Sequence, residues 1–212
     1  MSDSHRPIDG PTPIPGHPRD RSGRFTAIAV GLELGALALA LAVGWLTGTS
    51  VWALLRPSLR GTLLAIPATL PLLAVMWLVS RSTWPPFRRL LTEVDEHVLP
   101  LFAHCSVGAL ALIAAAAGVG EEALFRGALL AAMADPLGMP VALAATSIVF
   151  GLVHFVTPTY AVLAGLVGAY LGWLAVATGG VWAPAVAHGL YDFVALVLLL
   201  RAPRRRPTQR GG

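Results

Sequence analysis

Residues 101–133 read LFAHCSVGALALIAAAAGVGEEALFRGALLAAM. A bilayer is crossed by about 20 apolar residues in a helix, and this run is longer than that. Apart from His104 near its start, its only acidic or basic side chains are Glu121, Glu122 and Arg126. An apolar segment that keeps two adjacent acids and an arginine reads as a membrane helix whose polar groups turn away from lipid. Similar apolar stretches lie on both sides, at 25–47, 61–79, 140–155, 159–177 and 181–200. With 101–133 as one helix the chain has six spans. A break at the glycine-rich residues 118–120 would make seven. The expected fold is all-α: a polytopic transmembrane helix bundle of about six spans plus an interfacial helix.

Composition agrees with lipid as the solvent. The chain has 212 residues, 56% of them hydrophobic and only 12% charged, and its mean hydropathy is +0.71. A soluble domain carries about 25% charged residues. All 15 basic residues are arginine, and the net charge is +4. The arginines lie between and beyond the apolar runs rather than on a basic face with stacking aromatics, so nucleic acid is not an expected partner. One cysteine, Cys105, excludes an intrachain disulfide and a cysteine-built metal site.

Residues 1–24 contain Pro7, Pro11, Pro13, Pro15 and Pro18 among Gly, Ser and Asp, and read as a disordered cytoplasmic tail. The apolar run that follows exceeds the roughly 7–15 residues of a signal-peptide core. Residues 25–100 form a unit of membrane helices and a connector. Within 80–97 and just after it, Phe87, Leu90, Leu91, Val94 and Val98 keep helical spacing, opposite Arg88, Arg89, Glu93, Asp95 and Glu96. That pattern is a helix lying in the interface or a solvated connector. Residues 101–200 hold the chemistry, and 201–212 form a basic tail. Pro67 and Pro71 should kink the span at 61–79.

In the six-span arrangement the amino tail, the 80–97 connector and the carboxyl tail share one side, with four, three and five arginines. Arg56 and Arg60 face the other side. The positive-inside rule then puts both termini in the cytoplasm. Missing lysine, abundant alanine and arginine, and short loops point to a bacterial inner membrane.

An ionisable group at the bilayer centre costs about 2.5–3.5 kcal/mol even on the lenient scale. The second half of the chain nevertheless places Glu121, Glu122, Arg126, His154, His188 and Asp192 in apolar surroundings. They must face one another or a wet cavity. Glu122 and Arg126 are four apart on one helix and can pair, as can His188 and Asp192 on another. Glu121 lies about 100° round its helix from Glu122 and lacks that partner. A carboxylate so placed suits a general base. His154 and His188 either orient a water or stabilise an oxyanion, and Asp192 orients His188. Together these groups suggest hydrolysis of an acyl bond inside the membrane.

Three motifs then resemble a family. Glu121-Glu122-Ala123-Leu124-Phe125-Arg126 is similar to the EExxxR motif of the CAAX prenyl protease and bacteriocin-processing (CPBP, or Abi) intramembrane proteases. Phe150 to His154 is similar to their FxxxH motif, and His188 to Asp192 to their Hxxx(N/D) motif. The order is right, over roughly residues 100–200. The resemblance implies a glutamate-dependent endopeptidase in which Glu121 activates water. Glu122 and Arg126 would support it, and His154, His188 and Asp192 would complete the site. Asp192 stands where the family often has Asn.

Glu121, His154 and His188 are also a conceivable zinc set with a water as fourth ligand, but HExxH is absent and no cysteine lies near. The expectation is therefore no cofactor, with zinc as the alternative. The expected partners are the lipid bilayer and a membrane peptide or protein substrate. Two other functions compete: a non-catalytic immunity or scaffold protein of the same fold, and a small proton-coupled transporter, since buried Glu and His also build proton relays. Outside the motifs, Glu33 is the one acid in the first span. His104 and Cys105 read as interfacial or core, and Tyr160, Trp173 and Trp182 as interface anchors.

Overall fold

The computed structural model describes residues 18–202 and contains no strand among them. Ten α-helices follow one another: α1 (Pro18–Thr47), α2 (Val51–Leu54), α3 (Leu59–Arg81), α4 (Pro85–Glu93), α5 (Leu99–Phe102), α6 (Val107–Glu122), α7 (Leu130–Leu137), α8 (Met139–Val153), α9 (Pro158–Thr178) and α10 (Trp182–Arg201). Two π-helical turns, Val94–Val98 and Ala123–Leu129, splice α4 to α5 and α6 to α7.

Among the described residues five helices are long and apolar enough to cross a membrane: Ser22–Thr47, Leu59–Arg81, Val107–Leu137, Pro158–Thr178 and Trp182–Arg201. Met139–Val153, the expected sixth span, has 15 residues. At 1.5 Å per residue that is about 22 Å, short of the roughly 30 Å hydrocarbon layer. The helix through Glu121 and Glu122 runs on from Val107 to Leu137 with no break at residues 118–120. Only 11% of the apolar window of α1 is buried, and 44% of that of Val107–Leu137. The apolar residues left outward, such as Ile28, Leu32, Leu63, Leu70, Val162 and Leu166, are what a helix shows to lipid.

Helix starts follow local chemistry. Ser58, Ser106 and Thr157 cap α3, α6 and α9 by accepting from Gly61, Ala109 and Tyr160 N–H groups. Pro140 and Pro158 open α8 and α9 in the first turn, where a missing N–H costs nothing. Gly179, at φ 71°, closes α9 in the left-handed conformation that favours glycine. Pro67 and Pro71 both lie within α3, which continues through them. Between them the Tyr170 hydroxyl donates to the Ala68 carbonyl at 2.8 Å.

Two boundaries differ from the sequence reading. Helix α1 already begins at Pro18, a residue pre-set for a first helical turn. The rest of the expected tail, 1–17, and most of the basic tail, 203–212, lie outside the described residues. The run at 101–133 is not helical throughout: it breaks at 103–106, where Ser106 caps the new helix. The apolar face of the amphipathic connector packs on the bundle. Leu90 and Leu91 are buried with Val79 of α3, against Phe87, Val94, Tyr160 and Leu163.

Helices α6 and α10 pack along each other, as do α8 and α9, α3 and α10, and α1 and α6. Small residues permit this. A Cβ on Gly118 would run into the Ala185 carbonyl and Gly189 of α10. One on Gly120 would meet the Glu33 backbone of α1, and one on Gly151 the Ala161 carbonyl of α9. In lipid, where apolar burial alone does not hold helices together, such close backbone approach is a main source of association.

Candidate active site

Glu121 and Glu122 occupy the last turn of α6, directly before the π-helical turn that carries Arg126. Such turns recur at functional sites because the extra residue re-aims the side chains around it. His154 is the residue at which α8 ends. His188 and Asp192 lie one turn apart on α10. The structure brings all six residues into one cluster.

Its buried anchor is Glu122, fully enclosed, with Arg126 at 4% exposure. Arg126 Nη1 donates to Glu122 Oε1 at 2.6 Å, and Nη2 donates to the Gly168 carbonyl of α9 at 2.8 Å. The same Glu122 oxygen stands 2.9 Å from His188 Nδ1. One carboxylate thus ties α6, the π-helical turn and α10 together, while the arginine reaches α9. Phe150 fills the space between the charged groups. Its ring stacks on His154 with centroids 4.3 Å apart, meets His188 and Phe125 edge-on, and lies 4.5 Å from the Arg126 guanidinium carbon.

Glu121 stands apart from that anchor. Its Oε2 lies 3.4 Å from His154 Nε2 and 3.9 Å from His188 Nε2. His154 Nδ1 is 2.8 Å from the Phe150 carbonyl, which can only accept, so Nδ1 carries the proton and Nε2 is turned to Glu121. Glu121 Oε2 is buried and has no hydrogen-bond partner among the described residues.

Besides Glu121, His188 has two carboxylate neighbours, the expected Asp192 and also Glu122. Glu122 holds Nδ1 at 2.9 Å, whereas Asp192 Oδ2 lies 3.4 Å from Nε2. The buried carboxylate is the closer and drier partner, and it was read from the sequence only as the mate of Arg126.

Glu121, His154, His188 and Asp192 line one end of a cavity of about 230 Å³. Its other walls are apolar and come from α3 (Leu72, Val75, Met76), α4 (Leu90, Leu91) and α9 (Leu163, Val167). Tyr160, expected to anchor at the membrane interface, is part of this wall. The sequence reading missed it, along with the contact role of Phe150 and the use of α4 as a cavity wall. The signal available was the apolar face of residues 87–98, which announces a partner without naming it. His104 and Cys105 fall at the 103–106 break and line a different, open groove against α1. Glu33 lies half-buried on α1, where the backbone touches Gly120.

Zinc would draw on Glu121, His154 and His188, whose donor types it uses in hydrolases. Among the described residues no group of three or more His, Cys, Asp or Glu is arranged to hold a metal ion.

Fold and site together define a class: a multi-pass α-helical membrane protein with carboxylates and imidazoles gathered at the end of an apolar cavity. Residues 103–194 match the Rce1-like family, described as type II CAAX prenyl endopeptidase Rce1-like. The match contains all six clustered residues and supports a membrane protease of the type II CAAX kind. Nothing among curated proteins or solved structures matches this chain.

Proposed function

We propose that the chain is an intramembrane endopeptidase that hydrolyses a peptide bond of a membrane-associated or lipidated peptide, with Glu121 activating the water. The observation that carries this reading is the convergence of Glu121 Oε2 with the Nε2 atoms of His154 and His188 at the polar end of an apolar cavity. The apolar walls suit a hydrophobic substrate segment, and the polar end suits the bond to be cut.

In this mechanism Glu121 accepts a proton from water as the water oxygen bonds to the carbonyl carbon. His154, with Nδ1 on the Phe150 carbonyl, presents Nε2 to the same water. The carbonyl electrons move onto oxygen. His188 has a carboxylate at each ring nitrogen, Glu122 and Asp192, and offers an N–H to that oxygen. When the oxyanion collapses the C–N bond breaks, and Glu121 returns its proton to the leaving amine.

Glu121→Gln keeps the shape and removes the base. Turnover should fall at least about 100-fold, the lower range for losing a general base. The assay compares membrane peptides from cells carrying wild type or variant at equal folded amounts. Near-normal turnover by well-folded Glu121→Gln would refute the base and favour the scaffold reading.

The proposed mechanism is metal-free, so a chelator-treated, metal-stripped preparation should keep most of its activity. Stoichiometric zinc that leaves with activity and restores it on return would make Glu121, His154 and His188 ligands instead. We also propose a bacterial inner-membrane location with both termini cytoplasmic, on the arginine distribution.

A further inference from the structure

The polar end of the cavity is rich in acceptors, and beside the imidazoles its donors are the hydroxyls of Ser80, Tyr160 and Tyr191. Glu121 and Asp192 present carboxylate oxygens. His154 uses Nδ1 on the Phe150 carbonyl and His188 uses Nδ1 on Glu122, so the Nε2–H of His188, which Asp192 also approaches, is the one imidazole donor left for the substrate oxygen. Cleavage of an amide needs donors aimed at the oxygen that takes up charge, and one such donor is worth a large share of the rate.

Tyr160 is placed to be one. Its ring packs against the cluster of Val79, Leu90 and Leu91. Its backbone N–H donates to Thr157, the cap of α9, which fixes the first turn of that helix. Its side chain lines the cavity with Glu121, His154 and Asp192. Its hydroxyl has no hydrogen-bond partner among the described residues. Tyr170, by contrast, spends its hydroxyl on the Ala68 carbonyl. A phenol packed among apolar side chains, in the wall of the cavity that holds Glu121, is placed to find its acceptor in a bound substrate.

We propose that Tyr160 is a further catalytic residue, whose hydroxyl donates a hydrogen bond to the carbonyl oxygen of the scissile peptide beside Glu121. The O–H bond stays intact throughout, so the proton balance of hydrolysis is unchanged. The proposal rests on the protease reading above.

The test uses the full chain in detergent micelles with an internally quenched, farnesylated CAAX peptide. Four proteins are compared: wild type, Tyr160→Phe, Tyr170→Phe and Glu121→Gln. Phenylalanine keeps the ring and its packing, so the unfolding temperature should not move. In Tyr160→Phe, kcat should fall about ten- to hundredfold with KM within about twofold, the pattern of an interaction made in the transition state. Tyr170→Phe should match wild type. If Tyr160→Phe turns over within about twofold of wild type while Glu121→Gln is inactive, the role of Tyr160 is overturned and the protease reading stands. A loss in Tyr160→Phe that appears in KM alone overturns it as well, since that is ground-state binding. A wild type that leaves the peptide intact overturns both in their CAAX-like form.

Discussion

Glu122 carries more of this site than its neighbour. Fully buried, it pairs with Arg126 and holds His188 through one oxygen. Removing one member of a buried ion pair strands the other charge and costs about 3–5 kcal/mol. Glu122→Ala and Arg126→Ala should both lower unfolding stability in micelles by about that amount. Glu121→Gln, which strands no ion-pair partner of this kind, should leave stability nearly unchanged. Equal destabilisation by all three would mean that Glu121 is as structural as Glu122. On the α10 side, His188→Ala should reduce kcat more than it weakens substrate binding. Asp192→Asn should be milder than Asp192→Ala, because Asn still offers an oxygen to Nε2. Glu122 continues to hold Nδ1 in both Asp192 variants, so both should stay more active than His188→Ala. Equal losses for Asn and Ala would show that the negative charge itself is required.

At the level of elements, the question is how residues on three helices reach one depth. Counting residues along straight spans puts Glu121 and His188 nearer one face of the bilayer than His154. The structure levels them without breaking α6. Helix α8 is short and ends at His154 itself, and the backbones of α6 and α10 touch at Gly118 and Gly189. A side chain at Gly118 would push α10 away and carry His188 from Glu121. Gly118→Val should therefore cost at least about 1–3 kcal/mol, as overpacking does, and lose activity together with stability. Gly31→Val, on α1 with no neighbouring atom within 4 Å of the added Cβ, is the control expected to do neither. If Gly118→Val kept wild-type activity and stability, the close crossing would not be what aligns the site.

For the whole molecule, the proposed orientation predicts that a reporter or labelled cysteine in the carboxyl tail reads as cytoplasmic. A tail on the other side would contradict the arginine-based arrangement. The same frame gives α4 its place. Its polar residues face outward, while Leu90 and Leu91 close one side of the cavity against α3 and α9.

Lipid as solvent, a helical bundle and the six clustered residues were all legible in the sequence. Those properties are local: an apolar run of sufficient length, a charge that has no business in it, a spacing of four. The continuity of the helix through residues 118–120 was open on the same grounds, because glycine permits a break without requiring one. Other features depended on contacts between segments far apart in the chain. That Glu122 rather than Asp192 is the closer partner of His188 depends on how α6 crosses α10. That Tyr160 faces the cavity, and that residues 87–98 cover it, depend on α3, α4 and α9 meeting. Helical periodicity tells which face of a helix is apolar. It does not distinguish a face turned to lipid from one turned to another helix, because in a membrane both are equally hydrophobic. Only the packing of the bundle separates the two.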